Sequence, residues 1–203
     1  LADIEVEKII GAEQLNVTGI AFNSMEVRPG NIFVCITGFK TDGHKYAADA
    51  IDRGAIAVIA ERDISELGVT CVICKNTRLA LAKAAANFYG HPERKFRLIG
   101  ITGTNGKTTA TYLVKSVLES LGRKVGLIGT NQNMIGTEVI PSKHTTPDSL
   151  ELMQLFSQMA EKGAEYVVME VSSHSLALDR VTACRFDVGA FTNITQDHLD
   201  FHK

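Results

Sequence analysis

The sequence has no apolar run approaching the roughly 20 residues that a membrane-spanning helix needs; stretches such as 55–60 are far too short. Neither sign of charge is in excess. Lys and Arg number 21 against 23 Asp and Glu, for a formal net charge of −2. No basic block stands out, which argues against a dedicated nucleic-acid or anionic-membrane surface. Residues 1–8 carry Asp3, Glu5 and Glu7 without an apolar core, so no signal peptide is expected. Internal repeats and low-complexity tracts are lacking too. With 45% hydrophobic and 22% charged residues over 203 positions, the chain has the composition of a globular protein of one large or two small domains.

Cysteine is scarce, at four residues, and poorly placed for metal. Cys71-Val72-Ile73-Cys74 has the spacing of half a zinc knuckle, but it sits in an apolar segment that reads as a strand. Residues three apart on a strand point to opposite faces, and no second Cys pair or nearby His pair completes a site. Core cysteines in a reducing cytoplasm are expected.

Strand and helix patterns alternate along the chain, as in a sheet covered by helices. In the first half, strands are expected at 17–22, 31–36, 55–60 and 69–75. A turn at Val27-Arg28-Pro29-Gly30 has Pro and Gly placed for type II geometry. Helices fit 46–53, closed by Gly54, and 77–89, with Thr77 as N-cap. Gly90-His91-Pro92 ends the second helix, which places a boundary between domains 1–92 and 93–203. The second half predicts strands at 97–102, 124–129, 165–171 and 187–194. A helix over 108–121 is capped by Gly122, and another begins at Thr146-Pro147 and runs to Gly163, with Thr146 as N-cap. This second domain reads as mostly parallel, and as incomplete at its C-terminal end.

Three segments carry chemistry. Gly103-Thr104-Asn105-Gly106-Lys107-Thr108-Thr109 lies between a predicted strand and a predicted helix, the context of a phosphate-binding loop. Its glycines let backbone N–H groups converge on phosphate oxygens, the helix N-terminus and Lys107 add positive charge, and the Thr108 hydroxyl can ligate Mg²⁺. The spacing is shorter than usual, since Ile101 stands where a glycine is expected. Glu170 ends a nearly unbroken apolar strand, at the carboxyl end where open α/β sheets gather ligands. A carboxylate is costly to bury there without a metal or an ordinary salt-bridge partner. Past the last strand, Asn193-Ile194-Thr195-Gln196-Asp197-His198 offers His198 as a ligand for Mg²⁺ or substrate. His198 and His202 are four apart, but no third ligand marks a zinc site.

These segments, in this order, resemble the Mur ligase family of peptidoglycan synthesis, over essentially all of the chain. Asn23-Ser24, Val27-Arg28-Pro29-Gly30 and Thr145-Thr146-Pro147 are similar to family segments too, most of all in the members that add the third residue of the stem peptide. The resemblance implies a small N-terminal α/β uridine-binding domain followed by a P-loop ATPase domain of mostly parallel sheet. It implies a cytoplasmic monomer that uses ATP and Mg²⁺ to join UDP-N-acetylmuramoyl-dipeptide to a diamino acid such as meso-diaminopimelate or L-lysine. Residue by residue, it assigns Ser24 to the uridine end, 103–109 to ATP and Thr108 to one Mg²⁺. Glu170 and His198 go to a second Mg²⁺, and Thr145, Thr146, Ser172 and Arg180 to the muramoyl-dipeptide. Two positions depart from the family: Asn23-Ser24-Met25 where Asp-Ser-Arg is frequent, and Leu178 where some members have Gln.

Such an enzyme would phosphorylate a carboxylate with ATP and let an amine attack the acyl phosphate. Ser172-Ser173-His174 lacks a nucleophile elbow and does not read as a hydrolase. A sister ligase that adds the terminal dipeptide, a folate polyglutamate synthase, a non-catalytic UDP-sugar-binding module and a P-loop nucleotide-binding switch are the alternatives. The switch lacks the lysine of a guanine-binding Asn-Lys-x-Asp. The segments that select the amino acid are expected beyond Lys203, so residues 1–203 alone are expected to show no ligase activity.

Overall fold

A computed structural model of the chain describes residues 2–39, 41–142, 144–196 and 201. The chain forms two compact units, one up to Phe88 and one from Tyr89. From sequence the division was expected at 92/93. Residues 89–92 fall with the second unit, where the single turn Pro92–Arg94 packs against a helix of that unit.

The first unit is a five-stranded sheet of β1 (Val6–Ile10), β2 (Gly19–Ala21), β3 (Asn31–Val34), β4 (Ala57–Ala60) and β5 (Thr70–Cys74), in the order β1-β5-β4-β3-β2. Strands β2 to β5 run parallel, with Ile32 beside Ala57 and Ala57 beside Thr70, while β1 pairs antiparallel to β5. All four residues of β4 are buried, so both faces are covered. Helix α1 (Ala47–Asp52) packs with Phe33, Cys35, Val58 and Cys71, and the alanine-rich α2 (Thr77–Phe88) contacts β2 and β4. Phe33 is fully buried, which contributes about 1.5–3 kcal/mol. In the Arg28-Pro29-Gly30-Asn31 turn, Gly30 takes φ +88° and the Asn31 N–H donates to the Arg28 carbonyl, as type II geometry requires. The N-cap of α2 is Asn76 rather than Thr77: its Oδ1 accepts from the N–H groups of Arg78 and Leu79. Strand β1 had no counterpart in the sequence expectation.

The second unit's sheet has the order β11-β6-β10-β7-β8-β9. Its strands are β6 (Arg97–Thr102), β7 (Val125–Ile128), β8 (Asn133–Ile135), β9 (Glu138–Ile140), β10 (Tyr166–Glu170) and β11 (Val188–Phe191). The first four in spatial order are parallel, and a short antiparallel hairpin, β8–β9, extends the β7 edge. Helix α3 (Lys107–Ser120) packs Ala110, Val114 and Leu118 on Ile101, Val125, Leu127 and Val168. Helix α4 (Ser149–Glu161) buries Leu152, Phe156 and Met159. Gly126 makes room for α4, since a Cβ there would lie 2.6 Å from Met159 Sδ. The N-cap of α4 is Asp148, two residues beyond Thr146. A five-residue helix, α5 (Ser173–Ala177), follows β10. The α/β class and the parallel sheets agree with the sequence; the hairpin and α5 were not expected. Among the described residues, no helix is long and apolar enough to cross a membrane.

Candidate active site

The chain leaves β6 toward β7 and leaves β10 in the opposite direction, toward β11. Adjacent parallel strands whose connections run in opposite directions gather ligands at their carboxyl ends. The register sets Glu170, at the end of β10, beside Ile101 of β6, so the carboxylate faces the turn that follows Thr102.

That turn must reverse the chain into α3 within residues 103–106. Gly103 takes φ +134° and Gly106 +83°. At Gly103 a side chain would also collide with Thr192 Oγ1 and the Asn193 backbone. No side chain caps α3, and the first intrahelical bond is from the Ala110 N–H to the Gly106 carbonyl. The preceding first-turn N–H groups therefore have no intrahelical partner and suit an anion. Lys107 Nζ donates to the carbonyls of Gly103 (2.7 Å) and Thr104 (2.9 Å). An ammonium has three protons, so one remains for a ligand. Thr104 is partly buried, whereas Asn105, Gly106 and Thr109 are exposed.

Residues 192–195 hold this loop. The Asn193 carbonyl accepts from the Thr104 N–H at 3.0 Å, and Asn193 Oδ1 accepts from the Asn105 N–H at 3.1 Å. Asn193 Nδ2 donates to the Asn105 carbonyl at 2.9 Å, and the Thr195 N–H donates to Thr104 Oγ1 at 2.9 Å. From sequence this segment pointed to metal through His198. Its described part braces the Gly-rich loop, and His198, like His202, lies outside the described residues.

Glu170 is 1% exposed. Its Oε1 accepts from the Thr130 N–H (2.8 Å), and its Oε2 accepts from Thr108 Oγ1 (2.9 Å) and lies 3.1 Å from Thr130 Oγ1. Among the described residues no Lys, Arg or His pairs with it, so the salt-bridge alternative is not realised there. A buried carboxylate and a hydroxyl converging beside a Gly-rich turn, with no counter-charge among the described residues, have the donor chemistry of a hard cation that takes its other ligands from phosphate and water. The described residues contain no cluster of three His, Cys, Asp or Glu, so a protein-only cage is not formed there.

Thr146 is 1% exposed and sits before α4 instead of capping it. Its Oγ1 accepts from the Ser172 N–H (3.0 Å) and donates to the Glu170 carbonyl (2.9 Å). Arg180 Nη1 donates to the Thr146 carbonyl at 3.0 Å, and Thr145 Oγ1 lies 3.1 Å from Thr130 Oγ1. Arg180 is turned back by Asp179, which takes φ +56° just past α5. Thr108, Thr145, Thr146, Glu170, Ser172 and Arg180 therefore form one connected network. Thr130 belongs to it and was missed; its only sequence signal is its place at the carboxyl end of a parallel strand.

Ser24 lies in the first unit, where a cavity of about 780 Å³ opens past the ends of β2 and β3. Ser24, Tyr46, Asp49 and Arg53 are among its lining residues. Ser24 and Arg53 hold the Asp49 carboxyl below the usual carboxylate range. Asn23 caps the single turn Ser24–Glu26 by accepting from the Met25 N–H at 3.1 Å. The loop forming another wall is pinned by Asp42. Its Oδ1 accepts from the His44 N–H (3.0 Å) and from His44 Nδ1 (2.6 Å), and its Oδ2 accepts from Arg62 (2.9 Å). The Glu61 N–H donates to His44 Nε2 at 3.0 Å, which fixes the proton on Nδ1. The His44 backbone bond, then its ring, depress the Asp42 carboxyl well below the ordinary range. All four cysteines are free. Burial pushes the Cys35 thiol up to about 12 and raises Cys71, Cys74 and Cys184 as well, which leaves them inert.

Residues 101–203 match the Mur ligase middle domain, and residues 16–89 match the Mur ligase family, catalytic domain. The chain is 55% identical over 97% of its length to the UDP-N-acetylmuramoyl-L-alanyl-D-glutamate--2,6-diaminopimelate ligase of Caldanaerobacter subterraneus, of which it spans 41%. A solved structure of a ligase of that name superposes with a TM-score of 0.76 at 30% identity, covering 90% of this chain and 37% of that one. The MurF ligase of Thermotoga maritima, solved in complex with ADP, superposes with a TM-score of 0.58 at 26% identity, covering 90% of this chain and 39% of the other. The chain thus spans about two fifths of the length of the relatives it matches. It belongs to the Mur ligase family.

Proposed function

We propose that the protein carrying this chain is an ATP-dependent amide-bond ligase. It joins the carboxylate of UDP-N-acetylmuramoyl-L-alanyl-D-glutamate to an amine of a diamino acid. On this reading the amino acid is 2,6-diaminopimelate, the one named for the relative at 55% identity. The observation that carries the reading is Glu170, buried and unpaired by any described cation, converging with Thr108 at the mouth of the phosphate loop.

The residues divide the work by position. The N–H groups opening α3 and the free proton direction of Lys107 hold the phosphates of ATP. Thr108 and Glu170 would hold Mg²⁺, with His198 as a further proposed ligand. Bound there, the ion would neutralise charge on the phosphoryl oxygens. Thr145, Thr146, Ser172 and Arg180 line the approach of the muramoyl-dipeptide, and Ser24 and the cavity around it take the uridine diphosphate. Arg53 supplies that cavity with the basic side chain that position 25, a methionine, does not. A substrate carboxylate oxygen attacks the γ-phosphorus and ADP leaves, giving an acyl phosphate. The amine then attacks the carbonyl carbon, the C–O bond to phosphate breaks, and the ammonium proton is lost to solvent. No residue of the chain becomes covalently attached.

Lys107→Ala tests this reading directly. Losing one charge-assisted contact of about 1.5–3 kcal/mol should weaken ATP binding roughly 10- to 100-fold by calorimetry with circular dichroism unchanged. Unaltered nucleotide affinity would remove the phosphate-loop assignment.

A further inference from the structure

Thr130 lies in no motif, yet it touches both halves of the site. Its N–H holds Glu170 Oε1 at 2.8 Å, and its hydroxyl oxygen is 3.1 Å from Glu170 Oε2 and 3.1 Å from Thr145 Oγ1. A hydroxyl has one proton to give. The carboxylate is the stronger acceptor, so Thr130 donates to Glu170 and accepts from Thr145. With both carboxylate oxygens held, Oε2 stays directed at Thr108 Oγ1, 2.9 Å away. The preceding residue shows how closely this segment wraps the carboxylate: a Cβ at Gly129 would lie 2.5 Å from Glu170 Oε1. Any larger side chain there would displace the carboxylate or the strand end.

We propose that Thr130 is a positioning residue that couples the nucleotide and metal end of the site to the substrate loop through the chain Thr145–Thr130–Glu170–Thr108. The inference rests on the ligase reading above. Ordering Thr145 against the muramoyl-dipeptide fixes the Thr130 hydroxyl, and that fixes the orientation of the carboxylate proposed to hold Mg²⁺. The two ligands then strengthen each other's binding, and by linkage the factor is the same in both directions.

The test compares full-length wild type, Thr130→Val and Thr130→Ser by calorimetry. Valine keeps the branched shape and the backbone N–H but removes the hydroxyl; serine keeps the hydroxyl. Three titrations are made: a non-hydrolysable ATP analogue with Mg²⁺, the same with EDTA, and the Mg²⁺ form with UDP-muramoyl-dipeptide present. In wild type the dipeptide substrate should tighten Mg²⁺-nucleotide binding about fivefold or more. Thr130→Val should cut that enhancement below twofold and weaken the Mg²⁺-nucleotide complex several-fold, with affinity in EDTA unchanged. Thr130→Ser should retain both effects. The inference is overturned if the valine variant keeps the enhancement, if serine fails like valine, or if affinities with and without Mg²⁺ fall in equal proportion, as a merely structural role would produce. It is overturned as well if wild type binds both ligands without mutual enhancement. Wild type whose nucleotide affinity ignores Mg²⁺ would instead bring down the metal assignment on which the inference stands, a distinct outcome.

Discussion

At the scale of single residues, carboxylates held in two different ways shape the two sites. Glu170 is buried and held by hydroxyls and one N–H, which orient it without neutralising it; Asp42 is held by His44 and Arg62. Asp42 therefore titrates with the fold. Its carboxyl is depressed in the folded state, so the stability it adds is fully present above its unfolded pKa of about 4 and is lost as pH falls toward the folded value. Asp42→Asn should lower the thermal midpoint of the first unit at pH 7, and the gap from wild type should close on acidification below about pH 4. A gap that stays constant down to pH 2 would show that the charge of Asp42 is not what anchors the loop. Glu170 was legible in sequence because an acid ending an apolar strand has few innocent explanations. Thr130 was not, since threonine is at home at any strand end and becomes informative only when its distance to Glu170 is known. The bracing by Asn193 and Thr195 was not legible either, since hydrogen bonds from a loop to a sequence-distant turn leave no local pattern.

Elements were readable where one pattern dominated and hidden where two competed. Long apolar strands and the Gly-rich turn between β6 and α3 stood out because burial on both faces and positive φ each leave a strong mark. The hairpin β8–β9 has only three residues per strand, joined through Gly136 at φ +59°, too short for a period to show. The start of α4 was misjudged because Thr146-Pro147 has the form of an N-cap and first-turn proline. Asp148 takes the position because its Oδ1 accepts from both Leu150 (3.2 Å) and Glu151 (3.1 Å), and that releases Thr146 to bridge Glu170 and Ser172. Asp148→Ala should cost about 1 kcal/mol and lower the midpoint of the second unit by a few degrees. Calorimetric melting that shows no change in that transition would return the cap to Thr146.

At the scale of the whole molecule, each unit has its own sheet and its own core. The first closes Phe33, Val58 and Cys71 over α1, and the second closes Ile101, Leu127 and Val168 over α3. A unit with a complete set of strands and covering helices should fold alone. Residues 1–88 should therefore unfold in a single cooperative transition and bind UDP weakly at the cavity beside Ser24, a contact that Ser24→Leu should abolish without unfolding the unit. Residues 1–203 together should bind both UDP and ATP but turn nothing over. Amide formation needs the amine held within attack distance of the acyl phosphate, and the chain spans only 41% of the diaminopimelate ligase it is 55% identical to. The check is ADP release by the 203-residue chain with UDP-muramoyl-dipeptide and diaminopimelate both present. Release that depends on both substrates, at the rate of a full-length relative, would place the amine site within these two units. Failure of residues 1–88 to fold would show instead that the first sheet needs more of the chain than this unit.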